Sequence, residues 1–297
     1  MEPLPLHDWH ATRGASFTEL NGFEVVAHYA DPAAELRAAL AGKAVFDWSA
    51  RGVLKVTGPD RLEFLQGMCT ADVKKLAPGA HAYAAFLTNK GAMVADGRVW
   101  NRGEDAVIDA EPGFIGAVRD YLQKYLVSED AEISDAADLA VVTAPTEHLL
   151  VPRSDLQGTL EKLIASGATL AGFDAWERAR VERGAPRYGQ DMDDKTIPLE
   201  AGLKQAISYD KGCYVGQEVV ARATFRGHVN RQLQRLAFEG TPPAPGAVLR
   251  SGDKEVGRVT SVVKAPDDHG WIGLGYVHRD ATDSPLALDG GGAVRIR

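Results

Sequence analysis

Apolar residues recur along the first two thirds of the chain with two different spacings. Short apolar or alternating stretches predict strands, at residues 23–26, 53–56, 83–87, 93–100, 106–108 and 139–143. Apolar residues three or four positions apart predict helices, which follow Asp31, Asp60, Pro112, Ser154 and Asp174. Residues 1–20 are polar, and we expect them to be irregular. Strands and helices therefore alternate without a fixed order.

Turn and cap residues divide these elements. Asp31-Pro32 is typical of a helix start, with an N-cap side chain followed by proline at the first helical position. Thr88-Asn89-Lys90-Gly91 predicts a hairpin turn, because Asn and Gly accept positive φ angles. No glycine-rich phosphate loop opens a helix, which argues against a dinucleotide-binding or P-loop fold.

The pattern changes after Gly240. Residues 241–246 are rich in proline and predict a stiff linker or a broad turn. Short candidate strands follow at 247–249, 256–263 and 271–277, separated by glycines and charged turns. This end of the chain is predicted to be a small all-β module, most simply a barrel.

Length and charge narrow the class of protein. A chain of 297 residues suggests two or three compact units. The net charge of −8 gives no overall attraction to nucleic acid or to an anionic membrane, although a local basic groove is compatible with it. Two cysteines cannot form a disulfide framework, and the first residues lack the apolar core of a secretory signal. We therefore expect a cytoplasmic protein without a membrane-spanning helix.

The segment Lys211-Gly212-Cys213-Tyr214-Val215-Gly216-Gln217-Glu218 concentrates the candidate chemistry. Gly212 precedes Cys213, Gly216 lies three residues after it, and the cation Lys211 lies two residues before it. A reactive thiol on a shaped loop is therefore one interpretation, in which Lys211 favours the thiolate. A buried structural cysteine is the alternative. The histidines do not cluster, and no zinc-ligand spacing is found. Basic residues concentrate in one later run: Arg222, Arg226, His228, Arg231 and Arg235. This run is interpreted as a binding surface for the folate tail, a partner or RNA, or as a solvated face.

Several segments together resemble the aminomethyltransferase (glycine cleavage T-protein) superfamily. They include Val56-Thr57-Gly58-Pro59-Asp60-Arg61, Thr88-Asn89-Lys90-Gly91 with Asp96, 181–189, 197–203 and Ile272-Gly273-Leu274-Gly275-Tyr276-Val277. Within it, the segment from Lys211 to Glu218 resembles the YgfZ branch of folate-binding proteins, which support iron–sulfur cluster assembly or repair. An aminomethyltransferase usually has aspartate at the position of Cys213 and arginine at the position of Gln217.

The resemblance implies an α+β fold: a GcvT-like body of two interlocked subdomains over residues 1–238, and a C-terminal β-barrel over 239–297. It implies a ring around a central channel that holds tetrahydrofolate or a folate derivative. Glu182 matches a pterin-binding glutamate, for which a helix-end salt bridge with Arg178 or Arg183 is the alternative. Tyr188 matches a pocket residue, or is an ordinary core tyrosine. Asp96 matches the aspartate that faces the reactive end of folate, or is a solvent-facing strand residue.

The remaining site residues follow from the same resemblance. Cys213 is expected to act as a metal ligand, a cluster-contacting group or a redox sensor, but one cysteine is too few to hold an iron–sulfur cluster alone. Lys211 is expected to act on the thiol or on the folate tail. Gln217 orders the loop, and Arg222 meets the glutamate tail of folate. No resident metal site is predicted.

The predicted function is a tetrahydrofolate-binding factor for [4Fe–4S] cluster assembly or repair. Its partners are iron–sulfur assembly proteins or client [4Fe–4S] enzymes, with an indirect effect on tRNA modification and no direct role for nucleic acid or membrane. The alternative is a folate-dependent aminomethyltransferase. Whether the protein is an enzyme is left open; if it is, it transfers a one-carbon (aminomethyl) group.

Overall fold

A computed structural model describes residues 1–225 and 227–297. Its α-helices are α1 (His7–Ala11), α2 (Pro32–Leu40), α3 (Arg61–Met68), α4 (Ile115–Tyr125), α5 (Leu156–Ala165), α6 (Phe173–Arg183) and α7 (Gln217–Phe225). Its strands up to residue 152 are β1 (Ser16–Leu20), β2 (Phe23–His28), β3 (Ala44–Asp47), β4 (Gly52–Thr57), β5 (His81–Leu87), β6 (Met93–Asn101), β7 (Ala106–Ala110), β8 (Glu132–Asp135), β9 (Leu139–Thr143) and β10 (His148–Pro152). The later strands are β11 (Thr169–Leu170), β12 (Arg231–Phe238), β13 (Val248–Ser251), β14 (Lys254–Lys264), β15 (Trp271–His278), β16 (Leu286–Leu288) and β17 (Ala293–Ile296).

The chain divides into two compact units that each use several separate segments. The first unit contains Met1–Phe86, Ala95–Trp176 and Ser208–Gly212. The second unit contains the remaining described residues: Leu87–Val94, Glu177–Ile207 and Cys213–Arg297. The chain thus passes from the first unit to the second between Gly212 and Cys213.

The first unit is built on three sheets. β1 and β2 form an antiparallel hairpin, β10-β9-β3-β11 form a mixed sheet, and β5-β6-β7-β4-β8 form a five-stranded sheet. Apolar side chains of the mixed sheet and of α5 form one core cluster, because α5 places its leucines four residues apart on one face: Val45, Ala140, Val142, Leu156 and Leu160. The start of α2 is as predicted, with Asp31 accepting a hydrogen bond from the Ala34 N–H at 2.9 Å.

The expectation of an irregular segment over residues 1–20 is wrong. Asn21 and Gly22 both have positive φ angles and turn β1 back onto β2, and the Asn-Gly pair is the sequence signal for such a hairpin. The preceding α1 is held by His10, which is fully buried and hydrogen-bonds to Tyr29 Oη at 2.7 Å and to Asp47 at 2.9 Å. Contacts distant in sequence therefore order a segment whose own pattern is weak.

The second unit contains a closed barrel in the order β12-β15-β14-β13-β16-β17. Its first strand, β12, lies before residue 239, where the sequence analysis begins the barrel. The proline-rich residues 241–246 connect two strands of the barrel, β12 and β13. The change in composition at these residues therefore marks a loop of the barrel. The interior is filled by alternating residues of these strands and by Ala281: Leu236, Phe238, Leu249, Val259, Val277, Ala281, Leu286 and Val294.

A buried ion network also stabilises the second unit. The guanidinium of Arg180 on α6 donates to Asp191 at 2.7 Å and to Ser261 Oγ on β14 at 2.9 Å, and all three residues are buried. Burial alone lowers the pKa of Arg180, but the nearby Asp191 raises it above its ordinary value. The neighbouring pair of Arg178 and Asp268 also meets at 2.7 Å but is partly exposed, and exposed ion pairs contribute little to stability.

Candidate functional site

The two cysteines lie in contrasting environments. Cys69 follows the last residue of α3 and is buried, with 1% of its surface exposed. Burial raises the pKa of the Cys69 thiol. Cys213 is an exposed free cysteine in the segment that precedes α7. Of the two sequence-based interpretations of Cys213, the structure excludes the buried structural cysteine, and the reactive thiol stays a prediction.

Lys211 is buried in the first unit and binds main-chain carbonyl groups. Its Nζ donates to the carbonyl oxygens of Gln66 at 2.6 Å, Cys69 at 2.7 Å and Ala71 at 2.6 Å. Burial lowers the pKa of Lys211, while its ionisable neighbours Cys69 and Asp72 oppose that shift. The end of α3 carries carbonyl groups without helical partners, and an ammonium is a suitable donor for them. Lys211 therefore anchors the chain directly before the Cys213 loop, and its expected effect on the thiol stays a prediction.

Asp96 lies on β6 and is almost fully buried. Tyr83 on β5 donates a hydrogen bond to its Oδ2, whereas Oδ1 is buried without a hydrogen-bond partner. Burial raises the pKa of Asp96 to about 6, against the opposing effects of Tyr83 and Arg51. The alternative of a solvent-facing strand residue is wrong, because only 7% of Asp96 is exposed.

Arg51 belongs to a wider buried network of the first unit, and its charge lowers the pKa of Asp96. Its guanidinium binds Asp109 at 2.6 Å and also pairs with Glu111. Trp100 Nε1 donates to the second oxygen of Asp109 at 3.0 Å. Burial alone lowers the pKa of Arg51, but Asp109 and Glu111 raise it above its ordinary value. Sequence reasoning missed these two carboxylates, since they lie 58 and 60 residues from Arg51.

Two histidines complete the network, and neither was singled out from the sequence. Arg98 hydrogen-bonds to Nε2 of His148, and Nδ1 of His148 meets Thr143 Oγ1 at 3.0 Å. Because a guanidinium only donates, Nε2 accepts and Nδ1 carries the proton. Burial and Arg98 lower the pKa of His148 to about 3, so the ring is neutral. The ring of His81 lies 4.1 Å from that of Trp100.

Glu182 and Tyr188 both lie in the second unit. Glu182 is near the end of α6, and its two carboxylate oxygens receive hydrogen bonds from Arg297 at 2.6 and 3.2 Å. The alternative from the sequence was a helix-end salt bridge of Glu182 with Arg178 or Arg183. The structure shows such an ion pair, with Arg297 as the partner. Tyr188 is buried, and its hydroxyl donates to the Met93 carbonyl at 3.5 Å. Pterin binding by either residue stays a prediction.

The other predicted loop residues lie on α7. Gln217 begins the helix, and Arg222 forms an exposed pair with Glu218 at 2.8 Å. Arg226 of the predicted basic run lies outside the described residues. Arg235 donates to the carbonyl of Glu182 at 2.9 Å. Within the described chain, the basic run is thus divided among separate partners.

A cavity of about 710 Å³ lies within the second unit. Its lining includes Thr196, Arg231 and Tyr276. The guanidinium carbon of Arg231 lies 4.7 Å from the ring centre of Tyr276, and its Nη2 pairs with Glu200 at 3.1 Å. Its volume is within the range typical of small-molecule sites, and the arginine and the aromatic ring suit a ligand with a carboxylate and an aromatic part.

Within residues 1–225 and 227–297, no group of three or more His, Cys, Asp or Glu side chains is arranged to hold a metal ion. Over the same residues, no helix has the length and apolar character needed to cross a bilayer.

The anchoring role of Lys211 predicts a stability change. Lys211→Met keeps the length of the side chain but removes the donors of three buried carbonyl groups, so we expect the free energy of unfolding to fall by about 1–3 kcal/mol. Urea denaturation measures it, with exposed Lys204→Met as the matched control. An unchanged midpoint for Lys211→Met would contradict the anchoring role. Slower alkylation of Cys213 in the folded variant would support an additional effect of Lys211 on the thiol.

The raised pKa of Asp96 predicts a pH-dependent stability. The folded-state pKa of about 6 exceeds the ordinary value of 3.8, so ionisation of Asp96 disfavours the folded state. Wild type should therefore lose stability relative to Asp96→Asn as the pH rises from about 4 to about 6, by about 2–3 kcal/mol in total. Urea denaturation at pH 4, 5, 6 and 7.5 measures this difference. Exposed Asp120→Asn is the control, and a difference for Asp96→Asn that is constant with pH would contradict the assignment.

Comparison with known proteins gives a domain match at each end of the chain. A model of the GCVT N-terminal domain matches residues 6–144, and a model of the CAF17 C-terminal β-barrel domain matches residues 230–297. The crystal structure of the glycine cleavage system aminomethyltransferase T from Bartonella henselae superposes with a TM-score of 0.85 at 20% identity, covering 100% of this chain and 96% of that one. This likeness shows the fold.

Curated relatives cover almost the whole chain. An aminomethyltransferase of Rubrobacter xylanophilus is 28% identical, over 99% of this chain and 90% of its own length. A probable aminomethyltransferase of Halobacterium salinarum is 29% identical, over 99% and 94%. A putative chloroplastic transferase of Arabidopsis thaliana is 26% identical, over 94% and 76%.

The family resemblance and the α+β fold with a C-terminal barrel, both predicted from the sequence, are thereby confirmed. The chain belongs to the aminomethyltransferase superfamily, in which it has the YgfZ/CAF17 arrangement of a GCVT domain followed by a CAF17-type β-barrel domain.

Proposed function

We propose that this protein is a tetrahydrofolate-binding factor that supports the assembly or repair of [4Fe–4S] clusters in the cytoplasm. The observation that carries the proposal is the exposure of Cys213 beside the start of α7. A thiolate must be accessible to contact a metal or a cluster. The match of the barrel to the CAF17 type supports the same branch of the superfamily.

Folate is the ligand class that the residues fit. Arg231 offers a guanidinium to the carboxylates of a glutamate tail, and the aromatic residue Tyr276 lines the same cavity of the second unit. A pterin presents an amine and a ring N–H side by side, which one carboxylate can accept. Glu182 would have to release Arg297 before its carboxylate could accept hydrogen bonds from the pterin amine and ring N–H. Asp96 and Tyr188 are further proposed ligand-facing residues.

The cluster itself is proposed to be cargo and not a resident group. A [4Fe–4S] cluster normally takes four protein ligands, and Cys213 supplies one. The other ligands would come from an iron–sulfur assembly protein or from a client [4Fe–4S] enzyme. Effects on tRNA modification would then be indirect, through client enzymes that lose their clusters.

A second candidate function is transfer of an aminomethyl group to folate. It is favoured by relatives described as aminomethyltransferases that align over 99% of the chain, and by the buried Asp96, whose pKa of about 6 suits proton exchange near neutral pH. The thiol at position 213 distinguishes the two candidates, because aminomethyl transfer has no use for it.

A genetic replacement tests the proposal. The gene is deleted in its host and restored as wild type, Cys213→Ser or Cys69→Ala, and the activity of a [4Fe–4S] enzyme is measured under oxidative load. We expect wild type and Cys69→Ala to restore the activity, and Cys213→Ser to remain near the deletion strain, because serine cannot supply a thiolate ligand. Cys69→Ala controls for the loss of a thiol.

Two results would contradict the proposal. Full restoration by Cys213→Ser would remove the thiol from the function. A deletion that spares the [4Fe–4S] enzyme but abolishes one-carbon release from glycine would favour the aminomethyltransferase instead.

A further inference from the structure

The turn between β5 and β6 lies against the segment that carries Cys213. This turn, Thr88–Gly91, is closed by a hydrogen bond from the Gly91 N–H to the Thr88 carbonyl at 2.9 Å. A second bond joins the Thr88 N–H to the Ala92 carbonyl at 2.8 Å. The turn residues belong to the second unit, together with Cys213 and α7.

Gly216, the residue directly before α7, has no space for a side chain. A Cβ atom there would lie 2.7 Å from the Thr88 carbonyl oxygen and 2.9 Å from Leu87 Cβ. Its φ of +85° is in the left-handed region as well. Because Thr88 contributes a backbone atom, no change of rotamer can relieve this contact. The backbone at Gly216 is therefore fitted directly onto the turn.

Gly91 makes the reciprocal contact with the first turn of α7. A Cβ atom on Gly91 would lie 2.7 Å from Val219 Cβ and 2.9 Å from Val219 Cγ1. Gly91 and Gly216 are both buried. Each glycine thus accommodates an atom of the opposite segment, and the two contacts lie on either side of the start of α7.

Gly212 provides the contrast within the same loop. It is exposed, and a Cβ atom placed on it would meet nothing within 4 Å. The close contacts are therefore specific to Gly216 and are not a general property of the glycines around Cys213.

We infer that the turn Thr88–Gly91 is a positioning element that fixes the Cys213 loop and the first turn of α7 through the paired glycines Gly91 and Gly216. This inference deepens the proposed function and, for its importance to the thiol, rests on it. The turn holds the end of the loop three residues after Cys213, and so sets where the thiol is presented.

A double-mutant cycle tests the inference. The variants are Gly91→Ala, Val219→Gly and the double variant, with Gly212→Ala as the control, and amide hydrogen exchange is measured for residues 214–220 and for β14 and β15. We expect Gly91→Ala to speed exchange over 214–220 by about tenfold while the barrel strands stay protected. Gly212→Ala should leave both regions unchanged.

The double variant separates the contact from backbone strain. The cost of alanine at the positive φ of residue 91 is the same in the single and the double variant, so it cancels in the cycle. We expect the effect of Gly91→Ala to be at least about threefold smaller in the Val219→Gly background. An equal effect in both backgrounds, or unchanged exchange over 214–220 in Gly91→Ala, would overturn the inference.

A genetic replacement with the same variants tests whether the turn matters for the function of the thiol. The deletion strain is restored with each variant, and the activity of a [4Fe–4S] enzyme is measured. Gly91→Ala should lower the activity, and Val219→Gly should recover part of it. If Cys213→Ser restores full activity, the proposed function fails, whereas the exchange cycle still decides whether the turn positions the loop.

Discussion

A buried ammonium held by three carbonyl oxygens fixes the chain where it enters the loop of Cys213. Removing the ammonium of Lys211 from water is costly, and the lowered pKa of Lys211 reflects that cost. Three charge-assisted hydrogen bonds to groups at and after the end of α3 offset it. Segments about 140 residues apart in sequence are joined by this interaction. The folded first unit thus fixes the chain at Lys211, two residues before Cys213.

Several charged side chains lie buried in the first unit, among them Asp96, Asp109 and Glu111. Asp109 and Glu111 flank Arg51, so the guanidinium is compensated by more than one carboxylate. Burial raises the pKa of Asp96 to about 6 and the nearby Glu111 adds to this shift, so Asp96 takes up a proton more readily than an ordinary aspartate. A carboxyl group with a pKa of about 6 and a buried oxygen without a partner is typical of a functional position, and less so of a purely structural one.

Local patterns in the sequence predicted most of the regular elements but few of the contacts between them. The helix start at Asp31 and the turn at Thr88–Gly91 depend on neighbouring residues and were predicted. The strand β12 was missed, because the proline-rich residues after it suggested a domain boundary. The partners of Lys211 lie 140 to 145 residues away, and Ser261 lies 81 residues from Arg180. No periodic pattern in the sequence indicates such pairs. The family resemblance supplied the fold class and the candidate residues, but the ion pair that occupies Glu182 is visible only in the structure.

Folate binding is the claim on which both candidate functions depend, and equilibrium binding tests it most directly. Tetrahydrofolate is titrated into the purified protein and into Arg231→Ala and Arg250→Ala, the latter removing a partly exposed arginine of the barrel that pairs with Asp289. We expect saturable binding that Arg231→Ala weakens by about tenfold or more, because a charge-assisted contact is lost, and that Arg250→Ala leaves unchanged. Absence of binding to wild type, or equal affinity of all three proteins, would contradict this expectation.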